Sequence, residues 1–312
     1  MSILLQSWSS LLETHFDTTA TKTTNKQPPP LGSEWERLSK PFGVIFTLMT
    51  ALYYGTVWMI DQHHKRWFLP DPELCPTDNP TCTRSDLIAF QNVCVVTFVA
   101  LSGISLHAWH FQHRGMASAT TAGRCFGYVA QGELVSLICF TFQVWIFVAS
   151  LAIPEHRTWI MLMHHVLAAS VGYAALHCRY MLWYGLFFFG LSEISSVPLV
   201  FLGMAKFFPP APGSLGDTLI STAVGPSFAA TFLYYRGYMW WKMMWLFGKD
   251  VLFLVRSGEG ARQRPGKEWV LWVFCLSSVP LGLLQLYWAF LIVVELSKLV
   301  LGTSSMVWSR GE

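Results

Sequence analysis

The sequence predicts an all-α, multipass membrane bundle of about seven transmembrane helices. Three observations carry the prediction. Hydrophobic residues make up 53% of the 312-residue chain and charged residues only 12%, about half the charge of a soluble domain. Aromatic residues reach 15%, more large apolar surface than so few charges can shield from water. The apolar residues are also gathered into runs of about 17–25, the length that crosses the hydrocarbon layer as a helix. Together these exclude a soluble enzyme, a secreted disulfide scaffold and a disordered chain. The net charge of +3 is too small to suggest nucleic acid. Membrane lipids are the partners this composition implies.

The elements follow in order. Residues 1–40 are polar, include Pro28, Pro29 and Pro30, and lack the apolar core of a signal peptide. They read as a cytosolic tail, in which 3–16 either frays or forms a short surface helix. Seven spans are expected at 41–60, 87–106, 131–152, 158–177, 181–203, 217–235 and 269–295. The sixth is the least regular, and 228–247 is an alternative span with Arg236 inside it. The seventh is long enough to tilt, or to kink at Pro280. The organisation is a tail (1–40), a first helix with its loop (41–86), a large membrane domain (87–301) and a short tail (302–312).

Lys and Arg set the orientation. The tail and the loops after spans 2, 4 and 6 hold 14 of them, against 7 on the other side. The excess places the N-terminus in the cytosol. Cys75 and Cys82 then fall in a turn-rich luminal loop, where an oxidising compartment favours a disulfide. An integral membrane protein of the endoplasmic reticulum or another secretory membrane is expected.

Ionisable groups at membrane depth are candidates for function because leaving them in lipid is costly. Two places stand out: His164–His165 in span 4, and Glu193 in span 5, followed by Ser195, Ser196 and Pro198. His165 lies 14 residues before Arg179 and Glu193 14 residues after it, so both sit about 21 Å from the turn in straight antiparallel helices. One His is therefore expected within hydrogen-bond reach of Glu193, directly or through one water. The other should contact span 3, or span 7 near Gln285. A carboxylate beside an imidazole is a poised acid–base pair, or a plain structural hydrogen bond. Metal binding fits poorly, because neighbouring helix residues point about 100° apart. His107, His110 and His113 have better spacing, but 10 His in all fall short of a multi-box di-iron site. Neither a metal nor a cofactor is expected. Arg236 needs a carboxylate or phosphate partner if it lies within a span.

The stretch HHVLAASVGYAALHCRYMLWYGLFFFGLSEISSVPLVFLGMAKFF (164–208) resembles the core of the TLC domain of TRAM, Lag and CLN-type proteins. LLQLYWAFLIVVELSKLV (283–300) is similar to that family's last span. The resemblance implies a TLC-like domain over 87–301, with catalytic roles for His164, His165 and Glu193. It further implies substrate contacts from Ser196, Tyr173, Arg236, Gln285 and Trp288. The ceramide synthases of this family carry an Asp pair where this chain has Glu193 and Ser196, and a Thr where it has Ala168. Those departures resemble the TLC-domain-containing subfamily. Two functions follow from the resemblance: regulation of membrane lipid composition by binding or sensing lipid, and transfer of an acyl group from acyl-CoA, as co-substrate, to a lipid amine or hydroxyl.

Overall fold

The computed structural model describes residues 34–63, 72–75, 82–112 and 119–300. The tail before residue 34 with its 3–16 segment, the anchors His64, Lys65 and Arg66, His113, and residues 301–312 lie outside the described residues. Met1–Glu34 is a unit by itself, and Trp35–Glu312 is one compact unit.

The described residues fold into helices. They are α1 (Glu34–His63), α2 (Ser85–His107), α3 (Thr121–Phe126), α4 (Ala130–Ala152), α5 (Trp159–Cys178), α6 (Leu182–Phe188), α7 (Ser196–Phe207), α8 (Leu215–Leu219), α9 (Gly225–Phe232), α10 (Trp240–Ser257), α11 (Glu259–Gln263) and α12 (Trp269–Val300). Six stretches are long and apolar enough to cross a membrane: Arg37–Gln62, Ser85–Phe111, Ala130–Ala152, Trp159–Cys178, Leu182–Phe207 and Trp269–Lys298.

A seventh pass follows from contacts at the two rims of the bundle. The His156 ring, after α4, meets Phe207 at the end of α7 with centroids 5.6 Å apart. Residues 153–158 and 207–215 thus share one rim. At the other rim the Met181 N–H donates to the Cys125 carbonyl (2.8 Å) and the Tyr180 hydroxyl to the Gly260 carbonyl (3.3 Å). The continuous helical run 215–257 begins at the first rim and ends at the second. It comprises α8, a π-helical stretch Ile220–Val224, α9, a second π-helical stretch Leu233–Met239, and α10. Thr218, Ser221, Thr222, Gly225, Pro226, Ser227 and Thr231 dilute the apolarity of its first half, and Arg236, Lys242, Lys249, Asp250 and Arg256 that of its second, so length and composition alone do not mark it. The expected span 217–235 covers only its first half, and Arg236 lies inside the pass.

Packing closes six of these passes into a ring. The helix α2 packs on α4 and α7, α4 on α5, α5 on α12, α12 on the 215–257 run, and that run on α7. The helix α6 lies against α4. Gly132 makes that approach feasible, since a Cβ there would stand 2.1 Å from the Leu182 carbonyl oxygen. Small residues let helix backbones touch in this way in lipid, where burying apolar surface gives little. The helix α1 lies outside the ring against α4, through Phe42–Phe140 and Tyr53–Trp145 ring contacts (5.4 and 5.9 Å) and an Arg37–Glu133 ion pair.

The rim that carries residues 153–158 also carries Cys75, bonded to Cys82. There Arg84 bridges Asp86 (3.0 Å) and Glu155 (2.8 Å). Its guanidinium, by hydrogen bonding, holds the Glu155 carboxyl below the usual carboxylate range. Next to it His156 stacks on Phe90 at 4.0 Å, and burial pushes its imidazole from 6.5 down to about 4. The unfolded chain therefore takes up this proton first. Stability is full above pH 6.5 and falls as pH drops toward 4, with a slope of up to about 1.4 kcal/mol per pH unit. Thermal midpoints in detergent between pH 7.5 and 4.5 should show this loss. His156→Phe, which keeps the ring contacts, should flatten it; an unchanged slope in that variant would assign the loss to other groups.

Candidate functional site

The polar residues at membrane depth converge inside the ring. Glu193 is delivered by a 3-10 turn, Leu191–Ser195, that interrupts the pass between α6 and α7. Gly190 opens the turn at its closest approach to α2, where a Cβ would stand 1.6 Å from Ser105 Oγ and 2.8 Å from the Leu186 carbonyl oxygen. The break frees the Ser192 carbonyl and turns Ser195 and Ser196 inward.

Arg236, from the second π-helical stretch, takes up what the turn offers. Its Nε donates to the Ser192 carbonyl and to Ser195 Oγ, both at 3.0 Å. Nη2 donates to Glu193 Oε2 and Ser196 Oγ, both at 2.9 Å, and Nη1 to Gln285 Oε1 at 3.4 Å. Ser196 Oγ donates to Glu193 Oε2 at 2.6 Å. The Arg236 and Glu193 side chains are only 8% and 14% exposed. At such burial each charge needs the other, since one ion alone would pay the full cost of leaving water.

The expected His–carboxylate contact is not made directly: neither His hydrogen-bonds to Glu193 among the described residues, and the carboxylate is engaged by Arg236 and Ser196. The 3-10 turn re-aims Glu193, which leaves the expected contact to the route through one water. Depth itself is shared, because His164 and Glu193 line one slit of about 60 Å³ together with Gln143, Arg236 and Gln285. That is room for about two water molecules. The slit extends past Tyr184 to Phe247.

The two histidines diverge. His165 is buried and bonds through Nδ1 to Gln143 Oε1 on α4 at 2.8 Å. His164 sits with its ring 5.9 Å from that of Trp288. Its Nδ1, like Gln285 Nε2, is a buried atom with no hydrogen-bond partner among the described residues. Of the expected substrate contacts, Ser196, Arg236 and Gln285 join the cluster, and Trp288 reaches it through His164. Tyr173 stands apart. It is half exposed, stacks on His177 at 5.4 Å, and lines a groove of about 310 Å³ on the outer side of α4 and α5, with His165 and Gln143. Gln143 borders both slit and groove. A further apolar groove of about 540 Å³ lies between α2, α7 and the 215–257 run.

Gln143, Ser192 and Ser195 were not among the expected site residues. Gln143 carried a usable signal, as a lone amide within an apolar run at membrane depth. The Ser192 carbonyl carried none, because its availability depends on the helix break. Among the described residues no group of three or more His, Cys, Asp or Glu is placed to hold a metal ion.

Searches of curated proteins and of solved structures each returned no significant match. A comparison with protein-family models matched the TLC domain over residues 85–294. That range runs from the first residue of α2 into α12, the extent of the closed ring. The match covers two thirds of the 312 residues, and the chain is therefore a member of the TLC-domain family of integral membrane proteins.

Proposed function

We propose that this protein acts in lipid homeostasis by binding a membrane lipid at the polar cluster inside the ring, and so regulates membrane lipid composition. One observation carries the reading: His164 Nδ1 and Gln285 Nε2, both buried and unpartnered, border the same slit as a charge-neutral Glu193–Arg236 pair. A buried polar atom without a partner is costly. A lipid hydroxyl or amide offers both a donor and an acceptor for these atoms, and a phosphate ester offers an acceptor for the Gln285 N–H. The slit accommodates only the polar end of such a molecule. The α4–α5 groove, with Gln143 as the shared wall, suits the chain. The endoplasmic reticulum or another secretory membrane is the setting this reading favours.

Mass spectrometry of lipid retained by the purified protein tests it. One lipid class should be enriched over the bulk membrane. His164→Ala and Gln285→Ala should each lower its retention about 2–10-fold, the value of one neutral hydrogen bond, while the protein stays folded in detergent. Retained lipid that mirrors the bulk membrane and ignores both changes would remove the proposal.

One feature favours acyl transfer as a second reading. The Nδ1 bond to Gln143 leaves His165 Nε2 as a candidate base. That nitrogen would take the proton of a lipid amine or hydroxyl as it attacks the thioester of acyl-CoA, and return it to the departing thiolate. His165→Ala and Glu193→Gln should then each abolish transfer. Transfer surviving both, or none with a panel of acyl-CoAs, leaves the binding reading.

A further inference from the structure

The outer face of α10 carries a feature that the central site does not use. The helix turns Trp240, Met243, Phe247, Asp250, Val251 and Leu254 into the protein. On the opposite face Lys242, Lys249 and Arg256 are all exposed. They are seven residues apart, close to two helical turns, and so form a single stripe about 21 Å long. Exposed apolar side chains flank it: Trp245 is 70% exposed, and Trp241, Leu252 and Phe253 also face outward. Lys249 Nζ lies 5.3 Å from the Trp245 ring centroid. None of the three cations forms an ion pair among the described residues. The carboxylates nearest in sequence are otherwise engaged: Asp250 points inward to Arg124, Thr121 and Tyr184, and Glu259 pairs with Arg262 at 2.7 Å.

Those same bonds fix the level of the stripe. Thr121 and Arg124 belong to α3, at the rim that also holds Cys125 and Tyr180. Lys249, next to Asp250, therefore stands at that rim. Lys242 lies about 10 Å nearer the hydrocarbon, and Arg256 about 10 Å further out along the helix, toward the end of the run where Gly260 meets Tyr180 at the same rim. Lys and Arg interleaved with Trp, along a helix that leaves the membrane, suit the headgroup layer, where long cationic side chains extend toward phosphates.

We propose that the Lys242–Lys249–Arg256 stripe is a binding site for anionic phospholipid headgroups. Charge complementarity selects this occupant. An acidic soluble partner would have to cover exposed Trp and Phe. A second copy docked face to face would set cations against cations. With the pass taken as 215–257, so that Arg236, Lys242, Lys249 and Arg256 no longer count as loop charges, Lys and Arg still number 10 on this side against 7 on the other, and that excess places this rim in the cytosol, where anionic lipids are concentrated. The inference concerns the exterior of the ring and does not rest on the function proposed for its interior.

Native mass spectrometry of the full chain, released from neutral detergent with equal amounts of phosphatidylserine and phosphatidylcholine, tests it. Phosphatidylserine adducts should predominate. Each cation removed should cost about fivefold, and the triple variant K242Q/K249Q/R256Q about a hundredfold. The charge-conserving triple K242R/K249R/R256K should keep the preference, at unchanged thermal stability. Equal adducts on the unaltered protein, a preference that survives in the glutamine triple, or its loss in the charge-conserving triple would each overturn the proposal. So would a dimer peak that the glutamine triple abolishes while adducts persist, which would make the face an interface between copies.

Discussion

Arg236→Met is expected to lower stability by about 3–5 kcal/mol, because it strands the Glu193 carboxylate at membrane depth beside a slit too small to hydrate it. Five hydrogen bonds from one guanidinium, to Ser192, Ser195, Glu193, Ser196 and Gln285, disappear together. The double variant R236M/E193M should recover most of that loss, since an apolar pair of similar volume often replaces a buried ion pair at little cost. Thermal unfolding in detergent separates the cases, and a single variant as stable as the parent would show the pair to be energetically idle. Lipid retention adds an independent readout. The double variant should fold and yet retain less of the enriched lipid, because the polar cluster is gone.

The second large effect is expected at the opposite end of the slit. Asp250 is 3% exposed and accepts from Arg124 Nε (2.6 Å) and Nη2 (2.7 Å), Thr121 Oγ1 (2.8 Å) and the Tyr184 hydroxyl (2.6 Å). One carboxylate thus joins α3, α6 and α10 across the rim. Asp250→Ala removes the common acceptor and should cost about 3–5 kcal/mol, as breaking a buried charged pair does. Asp250→Asn keeps part of the geometry and should cost less. The Asp250 and Glu193–Arg236 networks share no partner, so the losses from D250A and R236M should add. A thermal midpoint unchanged in D250A would mean that the rim is held by apolar packing alone.

Much of this fold is legible because lipid imposes a simple rule: long apolar runs become helices. Four of the expected spans, 41–60, 87–106, 131–152 and 269–295, fall inside helices of the structure, and 158–177 matches Trp159–Cys178 to within one residue. The pass through 181–203 is present too, but its interruption is not visible in sequence. Leu191–Ser195 has a length and place that continue the span, and the break comes where Gly190 approaches Ser105 on a distant helix so closely that a Cβ would stand 1.6 Å from its Oγ. The pass 215–257 was half legible. Ser, Thr, Gly and Pro in its first half and charges in its second hide it from hydropathy, and only contacts at the two rims reveal where it goes. At the site, residue identity carried further than pairing. His164, Glu193, Ser196, Arg236 and Gln285 do assemble, since each polar group at depth must find company. Which direct partner each one finds depends on where the helix breaks: spacing along straight helices brought Glu193 and His164 to one slit but did not show that Arg236 is the direct partner of Glu193.

The Glu193–Arg236 pair also makes the interior electrically silent. Moving one elementary charge across a membrane potential of 100 mV involves about 2.3 kcal/mol. The pair carries no net charge, so the transmembrane voltage would do almost no work on it in any motion that the proposed lipid binding required. Glu193→Gln would leave the guanidinium as a lone cation in the field. Site occupancy in that variant should shift with voltage across a proteoliposome, while the parent protein stays indifferent to it.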